Sequence, residues 1–147
     1  MSSEDHYRNL ERMFASAPIN KELITGAKLQ VRDRKAELVL PMQKKFYHAA
    51  DSLHGAIYFK LLDDSAYFAA ASAEQEYFLY TKGYQIHFKR PVKGGMLTAK
   101  GQLVEQGDRE WLAISEIFNE NDQLVASGEG VFVRSRLLLK DQVGYSA

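Results

Sequence analysis

Two carboxylates, Asp63 and Asp64, stand side by side in a stretch that is otherwise apolar, Gly55-Ala-Ile-Tyr-Phe-Lys-Leu-Leu-Asp-Asp-Ser-Ala-Tyr-Phe-Ala-Ala-Ala-Ser-Ala73. Read as a helix, the stretch turns adjacent side chains about 100° apart, so the two acids face different surroundings. Removing a carboxylate from water costs several kcal/mol or more, which makes a buried one rare and chemically significant. A structural reading stays open beside the catalytic one. Lys60 lies three residues before Asp63 and four before Asp64, within reach of a helical ion pair. The same helix opens with Leu53-His54-Gly55. A helix start presents unpaired N–H groups and partial positive charge, and a glycine there lets a carbonyl oxygen come close. That geometry would stabilise an oxyanion; a plain capping turn is the alternative.

Other chemistries find little support. The four histidines, His6, His48, His54 and His87, show no metal-ligand spacing, so no metal is expected. There is no cysteine, hence no disulfide, thiolate site or cysteine nucleophile. Neither a glycine-rich phosphate loop nor Gly-x-Ser-x-Gly is present; Ala126-Ser127-Gly128 lacks the first glycine and falls in a strand. Nineteen basic residues balance 19 acidic ones, which argues against a nucleic-acid-binding surface and leaves no charge barrier to self-association. No apolar run is long enough to span a bilayer, and the N-terminal residues lack a signal-peptide pattern. A cytoplasmic location and no membrane partner are therefore expected. The 147 residues predict a single domain.

The elements that must position these residues are legible. Residues 4–14 read as a helix that Ser3 can cap, with Tyr7, Leu10, Met13 and Phe14 as its apolar stripe and Pro18 beyond its end. Residues 26–42 alternate as a strand pair or one long bent strand stopped by Pro41. Residues 43–53 form a polar loop, and 55–73 the long helix, apolar on nearly all sides and so expected to be buried on most of them. Four strands follow, over residues 77–90, 96–105, 110–118 and 123–135. Gly128 and Gly130, two apart on one strand face, leave space that the long helix is expected to fill. The fold class is thus α+β: one long central helix wrapped by a curved antiparallel sheet of about five or six strands, plus an N-terminal helix.

His54-Gly55-Ala56, then Asp63 nine positions after the histidine, then Ser65-Ala66, resembles the active-site segment of the hotdog-fold acyl-CoA thioesterases, in their PaaI-like branch. The order of elements and the passage Ile86-His87-Phe88-Lys89-Arg90-Pro91-Val92, followed by Gly95, extend the likeness over most of the chain. The resemblance implies hydrolysis of an acyl-CoA or acyl-carrier thioester with no cofactor beyond the coenzyme A of the substrate. It implies catalytic roles for Asp63, Gly55 and His54, with Asp63 supplied by the partner chain as general base or nucleophile. It places Ala56, Asp64, Tyr67 and Arg90 at the substrate, Tyr67 where some relatives position water. Lys89, Arg90 and Lys93, flanking Pro91, form a small basic group that reads either as a solvated strand end or as a contact for the phosphates of coenzyme A. The resemblance also implies a homo-oligomer, a dimer or a dimer of dimers. Three departures stand out: Ala56 replaces a second glycine, His48 replaces a frequent asparagine, and the acid is doubled. A non-catalytic acyl-CoA-binding hotdog protein and a hotdog dehydratase or hydratase are the competing readings.

Overall fold

The computed structural model describes residues 1–146. Helix α1 spans Ser3–Ser16, and its cap is Ser2 rather than Ser3. The Ser2 hydroxyl accepts from the Asp5 N–H, and the Asp5 carboxylate accepts from the Ser2 N–H, a reciprocal box that satisfies two otherwise open donors. Pro18 does not merely follow the helix. It opens a short second helix, α2, over Pro18–Glu22, where the missing proline N–H has no bond to lose.

The alternating stretch resolves into a hairpin, β1 (Lys28–Arg32) and β2 (Lys35–Pro41), turned at Asp33-Arg34. The long helix α3 covers Gly55–Ala71. It is followed by β3 (Tyr77–Phe88), β4 (Met96–Gln106), β5 (Glu110–Phe118) and β6 (Leu124–Leu138). The six strands form one antiparallel sheet in the order β1-β2-β4-β5-β6-β3. Curled around α3, this sheet is the hotdog architecture expected above. The strand after the helix does not pair with the next one. β3 lies at the far edge beside β6, and the Lys89–Gly95 passage carries the chain back across to β4 beside β2.

The core fills the space between α3 and the concave side of the sheet, with Leu61, Leu62, Ala66, Leu97, Trp111 and Phe132 fully buried. The helix approaches most closely at Gly101 of β4. A Cβ there would sit 1.9 Å from the Ser65 carbonyl oxygen, so only glycine fits. The expectation for Gly128 and Gly130 is corrected. Their missing side chains make room for the ring of Tyr84 on the neighbouring strand β3, not for the helix, since a Cβ would fall 2.4 and 2.5 Å from that ring. A buried histidine ties the ends of the chain together. His6 Nε2 donates to the Ala71 carbonyl at the end of α3 (2.8 Å), and Nδ1 accepts from the Tyr145 hydroxyl (2.7 Å). No described helix is long and apolar enough to cross a membrane.

Candidate active site

The doubled acid is divided by the structure into two different environments. Asp64 points toward Lys60, whose ammonium lies 2.5 Å from its carboxylate and also over the Phe14 ring. Burial pushes the Asp64 carboxyl upward, and Lys60 opposes it. Asp63 turns the other way, toward β3, where its Oδ1 accepts the Thr81 hydroxyl at 2.8 Å. No cation lies within salt-bridge distance of it among the described residues. Burial raises its pKa to about 6; the Thr81 hydrogen bond and Lys60 pull down, and the neighbouring Asp64 charge pushes up. A carboxyl poised near neutrality and held by a single neutral donor suits proton transfer.

Asp63 lines a cavity of about 280 Å³ whose other walls are largely apolar, among them Met13, Phe14, Phe68, Phe78 and Tyr80. The first two come from α1, so the N-terminal helix roofs the cavity. Tyr67 contributes its ring to the wall. Its hydroxyl is engaged elsewhere: it donates to the Leu79 carbonyl (2.8 Å) and accepts the Leu79 N–H (3.2 Å). It therefore anchors α3 to β3, with its one O–H committed to the Leu79 carbonyl.

The start of α3 forms the second half of the candidate site. His54 is the N-cap, and its Nδ1 accepts the Ala56 N–H at 2.9 Å. That uses the Ala56 donor. The Gly55 N–H has no partner among the described residues and sits at the positive end of a 17-residue helix. A Cβ on Gly55 would meet only the Phe88 ring, at 3.5 Å, an ordinary contact. The packing around Gly55 thus does not itself demand a glycine.

Around Gly55 lies a groove of about 350 Å³ shared with His48, Ser52, Tyr58, Phe88 and Arg90. Arg90 is exposed, and its carbonyl accepts the Tyr58 hydroxyl at 2.8 Å. Lys93 is paired with Asp51 at 2.7 Å, which removes it from the free basic group. His48, at the position of the frequent asparagine, ties down its own loop: Nδ1 accepts the Ala50 N–H, and Nε2 meets the Ser52 hydroxyl. No set of three or more metal-ligating side chains converges among the described residues.

One chain does not bring the two halves together. Gly55 and Asp63 are eight residues apart on α3, about 12 Å along the axis. Thr81, the partner of Asp63, carried no sequence signal, because it lies 18 residues away on a strand that only the fold returns to the helix. The same holds for Met13 and Phe14, which read only as an apolar stripe.

The profile of the Thioesterase superfamily matches residues 51–126, more than half of the chain. The chain belongs to this superfamily. The matched segment contains His54, Gly55, Asp63, Thr81 and Arg90, both halves of the site. Among solved structures, the E. coli PaaI protein of the phenylacetic acid degradation operon superposes with a TM-score of 0.82 at 25% identity, covering 92% of this chain and 97% of that one. A zebra fish thioesterase superfamily member 2 gives a TM-score of 0.76 at 18% identity over 87% of this chain and 95% of that one. A protein of Archaeoglobus fulgidus, named as a candidate esterase, is 25% identical over 113 residues, 77% of this chain and 73% of its own length. The fold and the superfamily inferred from the His-Gly and Asp pattern are thus the ones found.

Proposed function

We propose that this protein hydrolyses an acyl thioester, carried on coenzyme A or an acyl carrier, to the free acid and the thiol. The observation that carries the reading is Asp63: an unpaired carboxyl in an apolar cavity, bonded to one hydroxyl, with its pKa raised to about 6. A cavity meant only to hold an acyl group gains nothing from a buried carboxylate, which costs stability. Membership of the superfamily supports the same reaction class.

In this reading the thioester carbonyl docks on the Gly55 N–H at the start of α3, which polarises the carbon and stabilises the oxyanion. Asp63 then takes a proton from water as general base, or attacks the carbonyl directly. The acyl group lies in the apolar cavity under α1. His54 acts by capping the helix and aiming it: its Nδ1 accepts the Ala56 N–H, which leaves the ring proton on Nε2.

The axial separation of about 12 Å means that Asp63 of one chain works with Gly55 of another. The long edge strand β3 supports such an assembly. It is unpaired on its outer side and exposes Tyr80 and Phe88, beside exposed Phe59 of α3. A homodimer joined through β3 places the two half-sites across the seam, with pairing into a tetramer open to it.

The test is a panel of acyl-CoA substrates with a thiol reagent. Release of free thiol by the wild type, lowered about 10²–10⁴-fold in Asp63→Asn and little changed in Asp64→Asn, is the expected result. Binding without release would assign the protein to the non-catalytic class. A solution mass of one chain, 16.7 kDa, at micromolar protein would remove the shared site.

A further inference from the structure

Away from the acyl cavity, three arginines converge where β5 begins and β6 ends. Arg109, Arg134 and Arg136, with Tyr77 and Ser135, line a cavity of about 450 Å³. Arg134 lies beside Arg109, its N–H bonded to the Arg109 carbonyl at 3.3 Å. Arg134 and Arg136 are two apart on β6, hence on one face.

Arg134 is built in. Its guanidinium meets Glu74 Oε1 through Nη2 (2.7 Å) and Nε (2.8 Å), and it lies against the rings of Tyr77 and Trp111. Buried Glu74 has no capacity left, because its Oε2 accepts the N–H groups of Glu76 and Tyr77. Arg109 and Arg136 have neither a carboxylate within salt-bridge distance nor a side-chain hydrogen bond among the described residues. One guanidinium of the three is therefore neutralised by a carboxylate, and the other two are not. Like charges gathered in one cavity repel, and an anion seated between them turns the repulsion into attraction. The planar guanidinium fork matches phosphate oxygens two at a time.

We propose that this arginine cavity binds a phosphate group. Tyr77 lies four residues before Thr81 on β3, about 13 Å along the strand from the hydroxyl that holds Asp63. The anion site is thus set apart from the reacting carbon. That spacing points to a phosphate of the substrate's nucleotide carrier, held by a second basic group besides the one at Arg90, an assignment that rests on the thioesterase reading; free phosphate is the other source of the same chemistry.

The test compares the wild type with Arg109→Gln/Arg136→Gln, a pair that leaves the Arg134–Glu74 anchor intact. Calorimetry with adenosine 3′,5′-bisphosphate and with inorganic phosphate should show binding by the wild type and a loss of about 10–100-fold in the variant. With one acyl group offered on coenzyme A and on phosphate-free pantetheine, the variant should raise KM about tenfold or more for the coenzyme A ester alone, at unchanged kcat. Lost phosphate binding with an unchanged KM ratio would support a site for free phosphate. Equal binding of both probes by wild type and variant, or no binding by either, overturns the proposal. If neither thioester is hydrolysed by the wild type, the thioesterase reading fails, and the calorimetry still decides the anion site.

Discussion

Replacing Asp63 with asparagine should make the protein more stable while it removes the proposed activity. The folded-state pKa of Asp63 is raised from 3.8 to about 6. Below pH 3.8 the acid is neutral in both states, and the fold keeps its full stability. As pH rises toward 6 the unfolded chain ionises first, so stability is lost; above about 6 the loss is constant. A shift of about two units corresponds to roughly 3 kcal/mol at neutral pH. Asparagine fills the same space and keeps an oxygen to accept the Thr81 hydroxyl, so the variant escapes this loss. The stability difference between variant and wild type should be small at pH 4, grow through pH 6 and level off at up to about 3 kcal/mol. That is roughly 6–12 °C in Tm for a domain of this size. The assay is denaturant unfolding across pH 4–8 at one fixed protein concentration, because an assembly shifts apparent stability by mass action. An Asp63→Asn protein no more stable than wild type at pH 8, or a difference that does not vary with pH, would refute the reasoning.

Thr81→Val removes the hydrogen bond that holds the Asp63 pKa down, so the rise of kcat/KM with pH should move upward from a midpoint near 6, as read from a pH–rate profile. Gly55→Ala should leave the unfolding midpoint unchanged, because its methyl meets Phe88 only at 3.5 Å, yet lower kcat/KM by about 10–10²-fold by displacing the carbonyl. Gly101→Ala should cost about 3 kcal/mol or more, with its Cβ 1.9 Å from the Ser65 carbonyl, as read from urea unfolding. Burial lowers the His6 pKa below 6.5, so its contribution is present above pH 6.5 and fades as pH falls below it. His6→Gln should therefore be less stable than wild type at pH 7.5, by a margin that narrows toward pH 5 in the same unfolding assay.

What was legible in the sequence is what local physics decides. The all-round apolar pattern marked α3 as a buried helix, strand alternation marked the sheet, and two carboxylates among apolar residues marked Asp63 and Asp64 as costly. The unpaired donors of a helix start marked Gly55. Each inference needs only neighbours within a turn or two of chain. Even so, the cap of α1 moved by one residue to Ser2, because the reciprocal bond with Asp5 outweighs a lone serine.

The tertiary structure decided everything that depends on distant segments meeting. Lys60 is within reach of both acids in sequence, but the rotation of α3 against α1 gives its charge to Asp64 and leaves Asp63 to Thr81. Gly128 and Gly130 announced a close approach, and only the register of β3 on β6 shows that Tyr84 makes it. The Tyr67 hydroxyl carried no visible partner in sequence, and the edge strand brings the Leu79 carbonyl to it. Arg109 lies 25 residues before Arg134, and only strand pairing makes one cavity of them. Sequence spacing fixes side-chain direction within one element; which surroundings that direction meets is set by how the elements pack, and the charge, burial and hydrogen bonds of a site follow from those surroundings.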